Sequence, residues 1–239
     1  MNLVIDQGNT FAKVGLFESD ALLKSVAGLD QTQLLAFVAE NQPDHLLISS
    51  VGTDEESLRT MFSPFCQKII VLNPSTPVPL VKRYDTPHTL GADRVAAAVG
   101  AKKYFPNNDC LVIDMGTCIT YDLVDANDNF EGGIISPGLR MRFKALYTFT
   151  KRLPMIDEPN PEIALIGKST TNAMQSGVMN GLKAEIEGII FEYQDKYPNC
   201  KVLMCGGDAQ YFERRLKTPI FVVESLVLEG LNKILIYNL

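Results

Sequence analysis

Apolar residues fall in short runs at 2–6, 11–18 and 21–27, the pattern of three strands in an antiparallel meander. Residues 30–41 predict an amphipathic helix with Leu34, Leu35 and Val38 on its apolar stripe. His45 to Ser50 predicts a buried strand, 54–63 a helix stopped near Pro64, and Lys68 to Leu72 a strand. The stretch 73–88 holds Pro74, Pro77, Pro79 and Pro87 and is expected to be an ordered loop. Residues 89–104 predict a helix rich in Ala and Gly (Ala92, Ala96, Ala97, Ala98, Gly100, Ala101), a face suited to close packing. Strands are then expected at 110–114, 119–124 and 129–135, and a helix at 139–150. A loop with Pro154, Pro159 and Pro161 follows, then a long helix over 170–195 and a strand from Lys201 to Cys205. A helix at 208–216, a strand at 219–223 and a helix at 225–237 close the chain. Three strands, then alternating helix and strand, twice over, predict an α/β duplication with mixed sheets and halves 1–109 and 110–239.

One stretch occurs in both halves. Leu3-Val4-Ile5-Asp6-Gln7-Gly8 returns as Leu111-Val112-Ile113-Asp114-Met115-Gly116. Each copy is an apolar run ending in Asp-x-Gly. A Thr follows (Thr10, Thr117), then a second strand-like run. The two turns would face each other across a cleft. Gly lets the backbone come close to a ligand. The neighbouring N–H groups and the Thr hydroxyl donate to phosphate oxygens. A carboxylate in such a turn holds Mg²⁺, directly or through water. A single Asp-x-Gly turn is also a common way to end a strand, so the repetition carries the argument.

Composition narrows the class. The chain has 239 residues, 46% hydrophobic and 21% charged, enough apolar material to bury a core. No apolar run reaches the length of a membrane span, and the first residues lack a basic leader, which argues against a signal peptide. The five Cys show no C-x-x-C and are joined by two His, so no zinc site is expected. Cys110, Cys118 and Cys205 sit in or beside apolar runs, where buried, reduced thiols are expected, and the compartment is read as the cytosol. A net charge of −6 argues against nonspecific nucleic-acid binding and leaves phosphate ligands to local donors, a few cations or a metal.

The duplicated turns resemble those of the sugar kinase, heat-shock ATPase and actin superfamily. Three stretches narrow the resemblance to type III pantothenate kinases: Asp6-Gln7-Gly8-Asn9-Thr10 with Gly15, then Thr89-Leu90-Gly91-Ala92-Asp93-Arg94-Val95-Ala96 after Tyr84 and Pro87, and Asp114-Met115-Gly116-Thr117-Cys118-Ile119-Thr120 with Gly132-Gly133-Ile134-Ile135-Ser136-Pro137-Gly138-Leu139 downstream. Gln7 and Cys118 depart from the family's usual apolar residue and Ala. The resemblance implies duplicated ribonuclease H-like (actin-like ATPase) domains with mixed sheets and an interdomain cleft. It implies transfer of the γ-phosphoryl of ATP to pantothenate, the first step of coenzyme A synthesis, in the cytoplasm. It also implies a homodimer whose substrate pocket is completed at the subunit interface. Mg²⁺ and a monovalent cation, K⁺ or NH₄⁺, would be the cofactors, with no membrane or nucleic-acid partner.

The same resemblance assigns roles. Asp93 would be the general base that takes the proton of the substrate hydroxyl, although an acid in the first turn of a helix is also favoured by the helix dipole. Arg94 would neutralise anionic substrate or phosphoryl charge, or else pair with Asp93 or solvent. Tyr84, Gly91, Ala92 and Thr170 would complete the substrate site. Tyr84 also reads as a packed loop aromatic, and Thr170 as the N-cap of the 170–195 helix in competition with Thr171. Asp6, Gln7, Gly8, Asn9, Thr10, Phe11, Ala12, Lys13 and Thr117 would bind ATP, with Asp6 on Mg²⁺, while Lys13 reads equally as solvent-facing. Asp114 would hold the monovalent cation or cap its own turn. Gly206 and Gly207 fit an adenosine-side turn or a plain strand-to-helix turn. The alternatives to a kinase are a noncatalytic, regulatory nucleotide-binding relative and a phosphohydrolase of the same superfamily.

Overall fold

The computed structural model describes residues 1–8, 11–50 and 52–239, so Asn9 and Thr10 lie outside the described residues. The chain forms two compact units. The first comprises Met1–Asn107, Asp125–Glu131 and Ser225–Leu239, and the second Asn108–Val124 and Gly132–Glu224.

In the first unit β1 (Asn2–Gln7) pairs antiparallel with β2 (Ala12–Glu18), which pairs with β3 (Ala21–Leu29). Helix α1 (Gln31–Asn41) returns the chain to β4 (His45–Ser50), which lies parallel to β1 on its other side. Helix α2 (Glu55–Phe62) then leads to β5 (Lys68–Val71), parallel to β4. The sheet order is therefore β3-β2-β1-β4-β5. Asp30 caps α1 with a full capping box, its side chain accepting the Gln33 N–H at 2.8 Å while the Gln33 side chain accepts the Asp30 N–H. One face of the sheet buries Leu3, Ile5, Leu46 and Ile48 against Leu34, Phe37 and Val38 of α1 and Leu58 and Phe62 of α2. Phe37 thus occupies the apolar stripe more fully than Leu35, which is only partly buried. In the proline-rich loop a two-residue strand, β6 (Val81–Lys82), pairs with Asn129 and Phe130. A 3-10 turn at Pro87–Thr89 precedes α3 (Ala92–Tyr104). The helix therefore starts three residues later than the pattern predicted, because Pro87 and Gly91 break its first turn.

The second unit repeats the sheet plan. β7 (Cys110–Met115) pairs antiparallel with β8 (Cys118–Val124), and β9 (Asn129–Pro137) lies beyond β8. After α4 (Leu139–Thr148) and α5 (Thr170–Lys196), β10 (Lys201–Cys205) runs parallel to β7, and β11 (Phe221–Val222) parallel to β10. The order β9-β8-β7-β10-β11 matches β3-β2-β1-β4-β5 strand for strand. This is the expected α/β duplication with mixed sheets. The predicted helix at 208–216 contracts to a 3-10 turn at Ala209–Tyr211. Phe212 there is fully buried in the core with Ala209, so packing rather than helical periodicity sets the path.

The last helix, α6 (Leu226–Tyr237), packs with the first unit, unlike a division at 109/110. Its partner is α3, and it also lies on β1 and β4. The contact is backbone to backbone: a Cβ on Gly230 would run into the Ala96 carbonyl, and one on Gly100 into the Leu226 carbonyl. The small-residue face of α3 thus does what its composition implied. A polar clamp sits at its edge, where the buried Glu229 carboxylate accepts from Lys103 Nζ at 2.6 Å, Tyr104 Oη at 2.8 Å and Ser225 Oγ at 2.6 Å. Burial alone would raise this carboxyl, but those hydrogen bonds outweigh it and hold the group below the usual glutamate value. Among the described residues no helix is long and apolar enough to cross a membrane.

Substitution at the α3–α6 contact tests this packing. Gly230→Ala is expected to destabilise by about 1–3 kcal/mol through overpacking against backbone that cannot retreat. Gly52→Ala, where a Cβ meets nothing within 4 Å, is expected to change stability by no more than about 0.5 kcal/mol. Denaturant titration of both variants measures the contrast, and equal stabilities would refute the close packing.

Candidate functional site

Asp6 is at the end of β1, opposite Lys13 on β2 and Ser49 on β4. Beyond it, the Gly8 N–H donates to the Phe11 carbonyl at 3.1 Å and closes the turn. Burial first and the nearby Asp93 charge second push the Asp6 carboxyl up to about 6, with Lys13 opposing both. Asp6 and Asp93, 87 positions apart in sequence, are thus brought into one electrostatic field within the first unit. Phe11 is exposed, and Ala12 is buried in the sheet opposite Gln7. The Gln7 side-chain oxygen is buried with no hydrogen-bond partner among the described residues.

Asp93 projects, exposed, from the first turn of α3, where its Oδ1 accepts the Arg94 N–H at 2.8 Å. A Cβ on Gly91 would meet the Asp93 carboxylate, so a side chain there would turn that carboxylate from its place. Arg94 is buried rather than in solvent. Only 7% exposed, its guanidinium lies over the rings of Tyr84 at 5.7 Å and Phe130 at 5.8 Å. The two rings meet edge to face at 6.1 Å. This arrangement fixes a positive charge beside the first turn of α3. Tyr84 is therefore a packed aromatic with a defined task, and Phe130 is a site-shaping residue that sequence reasoning missed. Its signal was weak: one aromatic in a strand distant in sequence.

In the second unit Asp114 ends β7, opposite Thr120 and Cys205. The Gly116 N–H donates to the Cys118 carbonyl at 3.1 Å, a tighter version of the first turn. The Gly138 N–H donates to the Thr117 carbonyl at 3.1 Å, and a Cβ on Gly138 would collide with that same carbonyl. Gly206, at φ +92°, lies against the Asp114 carboxylate and the Met115 backbone, which exclude any side chain. These two glycines bring α4 and the end of β10 onto the turn. A cavity of about 440 Å³ lies there, between the exposed Thr117, Gly207, Asp208 and the α4 residues Arg140 and Lys144. Burial raises the Asp208 carboxyl, and Arg140, 3.8 Å away, opposes the rise. Neither Arg140 nor Lys144 was singled out by the sequence, where they are two cations among several after Gly138.

Two expectations need correction. Thr170 is the first residue of α5, not its cap: Ser169, in extended backbone, accepts the Asn172 N–H on its hydroxyl at 3.2 Å. Thr171 does not cap either, since Ser169 already holds that position. Cys118 is exposed, because it opens β8 directly after the turn with its side chain off the core face; Cys110 and Cys205 are buried as expected.

The raised Asp6 carboxyl gives a pH-dependent expectation. Its folded value, about 6, lies above the unfolded 3.8, so the folded state disfavours its ionisation. The penalty is absent below pH 4, grows as pH rises through that interval and is complete above it. Asp6→Asn is therefore expected to stabilise the metal-free protein by up to about 3 kcal/mol at pH 8 and by nothing at pH 4. Thermal denaturation at both pH values decides it; a difference independent of pH would contradict the assignment.

Comparisons with known proteins identify the family. The family model described as type III pantothenate kinase matches residues 2–192. A Cytophaga hutchinsonii protein named type III pantothenate kinase is 46% identical over the full length of both chains. A Phocaeicola vulgatus protein of the same name is 42% identical over 100% of this chain and 99% of its own. Among solved structures, a Campylobacter jejuni protein described as a Baf family transcriptional activator superposes with TM-score 0.67 at 24% identity, covering 99% of this chain and 98% of its own. A glucokinase from an Antarctic psychrotroph gives TM-score 0.53 at 10% identity over 99% and 98%. These two likenesses carry the fold, that of the actin-like kinases with duplicated ribonuclease H-like domains. With both halves of the fold, the two Asp-x-Gly turns and the full-length similarity in agreement, the chain belongs to the type III pantothenate kinase family.

Proposed function

We propose that this protein transfers the γ-phosphoryl group of ATP to the primary hydroxyl of pantothenate, the first step of coenzyme A synthesis, in the cytoplasm. The observation that carries the reading is the convergence of Asp6, Asp93 and Arg94 in the first unit of a chain related over its full length to type III pantothenate kinases. Asp93 is exposed on a helix whose first turn is held by packing, so its carboxylate is available to orient the hydroxyl and accept its proton. Arg94, fixed between two rings, offers its charge to an anionic substrate or to the phosphoryl oxygens in the transition state. Gly91 and Ala92 shape the wall beside Asp93, and Tyr84 carries Arg94. Thr170 at the start of α5 is the further substrate contact. Asp6 to Lys13, Asn9 and Thr10 included, and Thr117 contact ATP.

The donor sets fit the cofactors. The buried carboxylate of Asp6, whose charge Asp93 already disfavours, suits Mg²⁺, which binds through one or two carboxylates plus phosphate. When bound, Mg²⁺ draws charge from the phosphate oxygens. Asp6 is the residue that would hold it. Asp114, the single carboxylate of the second turn, suits K⁺ or NH₄⁺. No observation favours a regulatory, noncatalytic reading.

One coupled assay of ATP with pantothenate tests both assignments. Turnover is expected to be low in sodium or Tris buffer and to rise with K⁺ or NH₄⁺. Asp93→Asn is expected to lower it by roughly 10²–10⁴ with pantothenate binding little changed. Equal rates with and without K⁺ remove the role of Asp114. A folded Asp93→Asn enzyme with wild-type turnover removes the base.

The protein is further proposed to act as a homodimer through α5. Gly177, Gly181, Ala184, Gly188 and Phe191 recur at helical spacing on its exposed side, and Phe191 is 68% exposed. Small residues ending in a large aromatic suit the close approach of a second copy of the helix. Sedimentation analysis is expected to give twice the chain mass, and Gly181→Glu to shift it to one; a wild-type monomer at micromolar concentration would exclude the dimer.

A further inference from the structure

We infer that Lys144, with Arg140, holds the anionic part of the nucleotide in the second unit; the inference rests on the ATP reading above. The two residues are one helical turn apart on α4, so they share a face. That face is set by its neighbours. Leu139 and Phe143 are buried in the core, and Arg142 is locked to Glu185 at 2.7 Å and to Ser136 at 2.9 Å. Arg140 and Lys144 are left to line the cavity over the Gly116–Thr117 turn.

The charge balance of this cavity is what selects an anion. Its lining has two cations and one carboxylate, Asp208, within a chain of net charge −6. Arg140 is partly committed: it lies 3.8 Å from Asp208 and donates to the Asp157 carbonyl at 3.1 Å. Lys144 has neither a hydrogen bond nor an ion pair among the described residues, so its ammonium is the uncompensated charge. The exposed Thr117 hydroxyl and the cationic wall together match a polyphosphate. An uncharged nucleobase gains less from an ammonium group than a polyphosphate does, because the phosphate contact pairs opposite charges. Sequence reading alone assigned phosphate contacts to the two Asp-x-Gly turns, both acidic. This cavity supplies positive charge beside the second turn.

The test is calorimetric titration of the full-length protein with ATP, ADP, AMP and adenosine in the presence of Mg²⁺, comparing wild type, Lys144→Met, Lys144→Arg and Arg140→Gln. Lys144→Met is expected to weaken ATP and ADP by about 5- to 30-fold and to leave adenosine unchanged. Lys144→Arg retains the charge and is expected to stay within about threefold of wild type. Arg140→Gln is expected to weaken ATP by less than Lys144→Met, because its charge is shared with Asp208. Melting temperatures measured on the same samples show that each variant is folded. A folded Lys144→Met protein with wild-type ATP affinity overturns the inference, as does one in which adenosine weakens as much as ATP. In both cases the ATP reading survives. A wild-type protein that binds none of the four ligands overturns the ATP reading, and this inference with it.

Discussion

A carboxylate held where a carboxylate is costly organises the first unit. Asp6 ends the central strand of its sheet, largely desolvated, with Asp93 adding like charge and only Lys13 opposing. A core-building role would have selected an apolar residue or a fully hydrogen-bonded polar one at this point. The fold instead retains a group whose ionised form gains from a cation, and the cost is met by the packed sheet around it. Leu3, Val4 and Ile5 precede it, all fully buried, and leave β1 no freedom to withdraw the carboxylate into solvent. Strain of this kind, concentrated at one position of a well-packed strand, is a mark of a functional site.

Placing Asp93 in that field depends on α3, and α3 depends on the end of the chain. Gly100 and Gly230 let α3 and α6 touch through their backbones, and Glu229 ties the far end of α3 through Lys103 and Tyr104. Side chains larger than hydrogen at either glycine would push the helices apart and tilt the first turn of α3. The site therefore draws on residues from both ends of the sequence. Arg94 adds a second anchor at the other end of α3, through its contacts with Tyr84 and Phe130. A helix fixed at both ends holds its first-turn carboxylate in one place, which a general base requires.

The strands and the duplication were legible because they rest on local rules: short apolar runs, Asp-x-Gly endings and glycine-marked turns. Both sheets follow that plan, and those motifs and the family resemblance marked Asp6 and Asp93 as candidates, which the fold brings into one electrostatic field. What escaped the sequence was non-local. The packing of α6 on α3 is settled by which glycines meet which carbonyls, and no periodicity encodes that. The segment after Gly207 has helical spacing but lacks a helix, because burying Phe212 outweighs propensity. Thr170 was a sound cap by residue type, yet Ser169 has the extended backbone that a cap needs. The aromatic seat of Arg94 draws Phe130 from a strand far along the chain. Arg140 and Lys144 acquire meaning only once Leu139, Phe143 and Arg142 have fixed the rotation of α4.

The two turns share a backbone device and differ in charge. In each, a glycine N–H returns to a carbonyl just beyond it, Gly8 to Phe11 and Gly116 to Cys118, at the same 3.1 Å. Around the first the side chains are two carboxylates and a lysine on the adjoining strand. Around the second, one carboxylate ends the strand, while α4 contributes two cations. An acidic surround attracts a metal ion and repels bare phosphate, and the two cations of α4 attract phosphate. Duplication thus supplied two equivalent frames. The frames differ in the helix that follows the third strand and in the charges it carries: α4, held by Gly138 against the second turn, brings two cations, where the first copy has α1 capped by Asp30, with the strand plan unchanged.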